Sequence, residues 1–236
     1  MRPASSAKAA SSTARPCPAS QRRSSLSLLA LLNCAWNGID VSVWQGPNID
    51  FNKVKAAGKN FVIIRAGIGN AKDIYWESNY KKAKAAGLNV GAYWYAKALT
   101  EKDSLTEAQY ALSAINGKQL EYPIYYDIEQ QEILAKGINF CSAIATKFCS
   151  YMENNRKFCG IYASKNPLES HFTSTVKKAY STWVAQYYTS CTYTGPYAMW
   201  QKSCTGRVNG IEGDVDLDVS YEDFPSIMKS VHLNGF

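Results

Sequence analysis

Apolar and polar side chains alternate along this chain in short, evenly spaced stretches, with glycine-terminated helical stretches between them. Gly38-Ile39-Asp40-Val41-Ser42-Val43-Trp44 puts Ile39, Val41 and Val43 on one face and Asp40, Ser42 and Trp44 on the other, which predicts a first strand. Asp50 then caps a helix through Phe51, Val54 and Ala57, Gly58 ends it, and Asn60 leads into a strand over Phe61 to Gly67. The phrase returns one unit later. Lys82-Ala83-Lys84-Ala85-Ala86-Gly87 echoes Lys53-Val54-Lys55-Ala56-Ala57-Gly58, and a strand over Val90 to Tyr95 follows. This helix-glycine-strand beat is that of repeated βα units.

A helix over Glu101 to Asn116 precedes a strand over Ile124 to Ile128, which sits behind Pro123. A helix over Ile138 to Asn154, a strand over Phe158 to Ala163 and helical residues from Lys165 to His171 follow. Helices then thin out. Ser181 to Tyr187, Tyr197 to Gln201 and Asp214 to Val219 read as strands joined by turn-rich links. Eight strands, the first five each followed by a helix, predict an α/β fold closed as a barrel with a helix-poor last third.

Composition narrows the reading. With 236 residues, 46% hydrophobic and 19% charged, the chain can bury one substantial core and need not exceed one domain. The formal net charge is +7, but Arg2, Lys8, Arg15, Arg22 and Arg23 all precede Trp36, where no acidic residue occurs, and without those five the rest carries +2. That leaves no basic footprint for nucleic acid on the body. Residues 1 to 36 form a separate segment in which Arg22-Arg23 precedes the apolar run Leu26 to Leu32. The segment reads as signal-like or as a disordered extension, and its apolar run is too short for a membrane span. The barrel is therefore expected over residues 37 to 236.

Of seven cysteines, Cys17 and Cys34 belong to that segment. The body keeps five without a C-x-x-C, and His171 and His232 are the only histidines. No metal centre and no Cys-His nucleophile is expected. Buried free thiols are the expectation, with a Cys191–Cys204 bridge as the oxidising-compartment alternative.

The chemistry concentrates in Tyr122-Pro123-Ile124-Tyr125-Tyr126-Asp127-Ile128-Glu129. Alternation puts Tyr125, Asp127 and Glu129 on one face, so two carboxylates sit about 7 Å apart at the exit of an apolar strand. Like charge and apolar walls both raise proton affinity there, which suits a general acid for glycoside cleavage beside a second, stabilising carboxylate. Taken alone, D-x-E reads first as a surface acidic pair at a strand end, neutralised by lysines. In a barrel, Asp40 and the run Asp214, Asp216, Asp218 converge with that pair on the mouth, and Arg65 points inward to hold one acid ionised. A calcium loop is excluded for the last run, because Val219 stands where the turn glycine belongs and Pro225 where the closing glutamate belongs. Trp44, Trp94, Trp183 and Trp200 offer flat faces suited to sugar rings, although tryptophans are more often core.

These residues, in order, resemble the glycoside hydrolase family 25 lysozymes, muramidases that include bacterial and phage endolysins. The resemblance rests on G-I-D-V-S-x-W-Q-G at Gly38 to Gly46, F-V-I-I-R-A-G at Phe61 to Gly67, G-x-Y-W-Y at Gly91 to Tyr95 and P-x-Y-Y-D-x-E at Pro123 to Glu129. W-x-A-Q-Y at Trp183 to Tyr187, M-W-Q at Met199 to Gln201 and V-D-L-D at Val215 to Asp218 complete it. It implies a TIM-like β/α barrel of five βα units and three further strands. It also implies cleavage of the β-1,4 bond between N-acetylmuramic acid and N-acetylglucosamine in peptidoglycan.

Carried over by position, the resemblance makes Glu129 the proton donor, Asp127 the assisting carboxylate, and Asp40 and Asp216 further active-site acids. Arg65, Tyr93, Trp94, Tyr95, Gln186, Trp200, Gln201 and Asp218 are the implied substrate contacts. Lys97, Lys202 and Asp218 depart from the family's usual residues. No cofactor and no metal is implied. The implied partner is the peptidoglycan glycan strand, met by a monomer outside the cell or in the wall after secretion or lysis. A chitinase-like hydrolase of N-acetylated glycans and a catalytically inactive glycan-binding barrel are the alternatives.

Overall fold

The computed structural model describes residues 35–236. The expected signal-like segment, with Cys17 and Cys34, lies outside the described residues apart from its last two positions. Nine strands occur among the described residues: β1 Trp36–Val41, β2 Phe61–Ile68, β3 Ala71–Lys72, β4 Asn89–Tyr95, β5 Ile124–Asp127, β6 Cys159–Ser164, β7 Ser181–Ala185, β8 Met199–Gly206 and β9 Val215–Ser220. Eight of them close a ring in the order β1-β9-β8-β7-β6-β5-β4-β2, with β1 pairing β2, while the short β3 hangs on β2. All neighbours in the ring are parallel except β9, which runs antiparallel to both β1 and β8. The expected TIM-like barrel is present, with one strand reversed.

The helices are α1 Phe51–Ala56, α2 Trp76–Ala85, α3 Glu101–Ala114, α4 Gln131–Leu134, α5 Gly137–Asn154, α6 Lys165–Ser170, α7 Ser174–Ala179 and α8 Phe224–Val231. Asp50 caps α1 by accepting from Asn52 N and Lys53 N, and Thr100 caps α3 by accepting from Asp103 N. The sequence reading missed α4, α7 and α8, although α8 carries an Asp223 cap and a proline in its first turn. Strand β1 starts at Trp36, one residue before the expected boundary, because Trp36 pairs with Ser220. It ends at Val41, where a 3-10 turn over Val43–Gln45 replaces the predicted continuation. Ser42 caps that turn by accepting from Trp44 N at 3.3 Å. No helix among the described residues is long and apolar enough to cross a membrane.

Two apolar layers hold these elements. Outward residues such as Ile39, Val41, Val62, Ile64, Trp94, Tyr126 and Ile161 meet the helices. Tyr126 stacks on Phe148 with ring centroids 4.0 Å apart and donates to Glu107 on α3 at 2.6 Å. Glu107 also accepts from Lys97 N at 2.9 Å, which ties the end of β4 to β5. The inward layer is smaller: Phe61, Ile63, Tyr122, Tyr125, Tyr162, Trp183, Met199, Phe224 and Met228. It fills the barrel from below, with α8 supplying Phe224 and Met228 as the bottom plug. Inward glycines make room for the rings. A Cβ on Gly38 would overlap the Phe61 ring, and one on Gly160 would overlap Tyr125.

Candidate active site

Because the lower barrel is packed with rings, the polar inward residues lie above it, at the end where the parallel strands finish. There they enclose a cavity of about 220 Å³. Strand β1 and the turn after it contribute Asp40, Ser42, Trp44 and Gln45; β2 and β4 contribute Arg65, Tyr93 and Tyr95. Asp127 is the last residue of β5 and Glu129 lies two beyond it. Tyr162, Trp183, Tyr187 and Gln201 come from β6, β7 and β8 with their following loops, and Asp216 from β9. Asp40, Asp127, Glu129 and Asp216 thus face one cavity. A larger groove of about 660 Å³ between α3, α5 and α7 contains one acid, Glu101, so it lacks the paired carboxylates of acid chemistry.

Burial dominates the electrostatics of the cavity acids. Asp127 is 4% exposed, and its carboxyl is pushed well above the usual range by burial and then by Glu129, while Arg65 pulls it back. Its Oδ1 is buried with no hydrogen-bond partner among the described residues. Glu129 is half-buried and raised by burial and by Asp216. Asp216 is itself pushed up to about 6, chiefly by burial. Repulsion between Asp127 and Glu129 is mutual, and Asp216 on β9 adds to it at Glu129.

One polar chain crosses the floor. Tyr162 and Tyr187 both donate to Gln201 Oε1, at 2.8 and 3.0 Å, which turns the amide nitrogen toward Asp40 Oδ2 at 2.7 Å. Asp40 is raised well above the usual range by burial, then by Asp218 and Asp216.

Several expected contacts lie elsewhere. Arg65 lines the cavity, but its Nε is committed to Asp73 Oδ2 at 2.7 Å, an acid the sequence reading did not single out. Trp94 is fully buried against the helices and donates to Gly69 O, because it falls between the inward Tyr93 and Tyr95. Trp200 alternates outward in the same way and donates to Gln186 O. The Gln186 amide turns away to bond Thr192, pinning its own loop. Asp218 is 1% exposed and lies beneath the cavity, while Asp214 is exposed and pairs with Arg207 at 3.1 Å. Both placements follow from the reversed β9. Register sets Asp216 opposite Asp40 and Asp218 opposite Gly38, so the strand's first residues, not its last, face the mouth. Cys191 and Cys204 are free, as are the buried Cys141, Cys149 and Cys159. Ser42, Gln45, Tyr162 and Tyr187 are cavity residues that the sequence reading did not select. Alternation across Gly160-Ile161-Tyr162 was the available signal for Tyr162.

Comparison with known proteins places this geometry. The chain is 34% identical over 183 residues to an autolytic lysozyme of Clostridium acetobutylicum, covering 77% of this chain and 54% of that protein. It thus spans about half the length of that relative. A solved bacterial lysozyme of Streptomyces coelicolor superposes with a TM-score of 0.69 at 28% identity, covering 79% of this chain and 92% of that one. The modular autolysin LytC of Streptococcus pneumoniae, solved in complex with a synthetic peptidoglycan ligand, gives a TM-score of 0.72 at 26% identity over 78% of this chain and 46% of that one. The family model of glycosyl hydrolases family 25 matches residues 39–211, which include three of the four cavity acids and the strand that delivers Glu129. This chain belongs to glycosyl hydrolases family 25.

Proposed function

We propose that the barrel over residues 37 to 236 is a lysozyme that hydrolyses the β-1,4 bond between N-acetylmuramic acid and N-acetylglucosamine in peptidoglycan. The observation that carries the reading is Glu129, a half-buried acid at the rim whose proton affinity is raised by burial and by Asp216. Such a group retains its proton to higher pH than a free glutamate and can deliver it to the departing glycosidic oxygen. Asp127 is the assisting carboxylate. It lies deeper, with a buried oxygen that lacks a donor, and suits a substrate acetamido N–H or the positive charge that develops as the bond breaks. Asp40 and Asp216 complete the acidic ring. Trp44, Tyr95 and Tyr187 offer ring faces at the mouth to a glycan.

Relatives that are autolysins and lysozymes support action in the cell wall or outside the cell, and the peptidoglycan-bound autolysin supports a glycan strand as partner. A monomer suffices for this chemistry, since every group in it comes from one barrel. The test is digestion of purified peptidoglycan and of chitin side by side, with mass spectrometry of the new reducing ends. Muramic acid ends from peptidoglycan, with chitin uncut, are expected. Glucosamine ends, or chitin as the better substrate, would move the assignment to the chitinase-like alternative. Glycan binding without cleavage would move it to a binding barrel.

A further inference from the structure

Arg65 stands on β2 between the cavity and an acid outside it. It lines the cavity together with Tyr93, Tyr95, Asp127 and Glu129, whereas Asp73, which follows β3, is not part of the lining. The Arg65 Nε donates to Asp73 Oδ2 at 2.7 Å, and both side chains are largely shielded from solvent. Among the described residues this is the only hydrogen bond the guanidinium makes, so its terminal amino groups are left for the cavity.

Asp73 is itself fixed on both sides. Its Oδ1 accepts from Tyr75 N at 2.9 Å, its N donates to Ala66 O at 2.9 Å, and its O accepts from Trp76 N at 3.2 Å. The Trp76 indole is fully buried and donates to Ala114 O at 2.9 Å. Asp73 is thereby tied to β2 behind it and to the start of α2 ahead of it, and its remaining oxygen goes to Arg65.

Asp127 marks the other side of the arrangement. Arg65 is in register with Tyr93 and Asp127 with Tyr95, so β4 lies between them and their backbones stand two strand spacings, about 10 Å, apart. Asp127 Oδ1 is buried with no donor among the described residues, so the guanidinium lies in the same cavity wall without bonding it.

We propose that Asp73 is a positioning residue: it anchors Arg65 through Nε, so that the guanidinium stays in the cavity wall near Asp127, unbonded to it, with its amino groups free for a glycan oxygen. The proposal rests on this cavity being the hydrolytic site. Held there, the arginine favours the ionised form of Asp127, which is the form that stabilises a developing cation. Of the other groups facing Asp127, Glu129 opposes its ionisation, while Tyr93 and Tyr95 on β4 and Tyr162 on β6 are raised and stay neutral. Arg65 is thus its counter-charge.

The experiment removes the anchor and leaves the arginine. Asp73→Asn keeps an acceptor for Tyr75 N but puts an amide nitrogen where Arg65 needs an oxygen. Its kcat/KM on peptidoglycan is expected to fall about tenfold, and the acid limb, which reports ionisation of Asp127, to move to higher pH. Arg65→Gln should move the limb the same way, and Asp73→Asn added to it should change nothing more, since Asp73 acts through Arg65. Asp73→Ser, whose hydroxyl keeps the turn to Tyr75 but is too short for Arg65, repeats the test should the asparagine variant fail to fold. An acid limb unmoved or moved to lower pH, or the same loss with and without the arginine, would make Asp73 a structural link only and overturn the proposal.

Titration of the Asp127 carboxyl by carbon NMR reads the same shift without turnover. A higher pKa in Asp73→Asn than in wild type is expected, and an unchanged one would overturn the proposal. Wild type that cleaves no peptidoglycan would instead count against the lysozyme reading.

Discussion

Strands β5 and β9 each bring acid to the same cavity, and they do so from opposite directions. Strand β5 runs parallel to its neighbours, so its last residue, Asp127, and the residue two beyond, Glu129, arrive at the mouth in chain order. Strand β9 is antiparallel to both neighbours, so Asp216, near its start, reaches the cavity while Asp218 descends into the interior. The same spacing, an acid at i and at i+2, therefore yields a rim pair on one strand and a wall-and-floor pair on the other. Strand direction assigns the role as much as residue type does.

The comparison breaks first at Glu129. Glu129→Gln keeps shape and hydrogen bonding but has no proton to give, and turnover on peptidoglycan is expected to fall by about two to four orders of magnitude with glycan binding retained. Near wild-type turnover in that variant would transfer the donor's role to β9. Asp127→Asn should follow with a loss of about two orders of magnitude, as the charge that stabilises the developing cation disappears.

The pH profiles of the aspartate variants sharpen the contrast. The alkaline limb of kcat/KM reports loss of the donor's proton. Asp216 raises the proton affinity of Glu129, so Asp216→Asn lowers it and moves the limb to lower pH. Asp127→Asn should move the limb in the same direction, because the repulsion between Asp127 and Glu129 acts on both. Paired rate measurements check this: a limb unmoved in one variant would remove that acid from the set that tunes the donor. The smallest effect belongs to Asp214→Asn. Asp214 pairs with Arg207 in an exposed bridge outside the cavity, so turnover should not change and stability should shift by less than about 1 kcal/mol in thermal melts.

The five βα units were legible because alternation, caps and terminal glycines agree there. Asp50 before Phe51 and Gly58 after Ala57 mark α1 at both ends, and Lys82 to Gly87 repeats the exit. The inward face of β5 was legible for the same reason: Tyr125 and Asp127 point in while Tyr126 packs on Phe148. The reversal of β9 was hidden. Strand β8 continues to Gly206 through Lys202-Ser203-Cys204-Thr205, a polar stretch that no alternation announces. The link to β9 then looks long enough for a parallel crossover, whereas residues 207 to 214 permit only an antiparallel return. Trp94 and Trp200 show a different difficulty. Each adjoins cavity residues in sequence, and only the period-two alternation, strictly applied, sends the indole to the helical side.

The interlock of inward glycines with aromatic rings at the bottom of the barrel restricts how this sequence can vary. Gly38 has no room for a methyl group while Phe61 keeps its ring, whereas Gly160 is closed by the Ser181 backbone carbonyl, 2.5 Å from where a Cβ would sit, as well as by the Tyr125 ring. Position 38 therefore forbids most single replacements but accepts concerted ones, a larger residue on β1 with a smaller one on β2, while position 160 accepts none unless the backbone moves. In a combinatorial library, survivors at position 38 should be correlated with those at position 61, which would mark β1 and β2 as neighbours without a structure, whereas position 160 should stay glycine whatever stands at position 125.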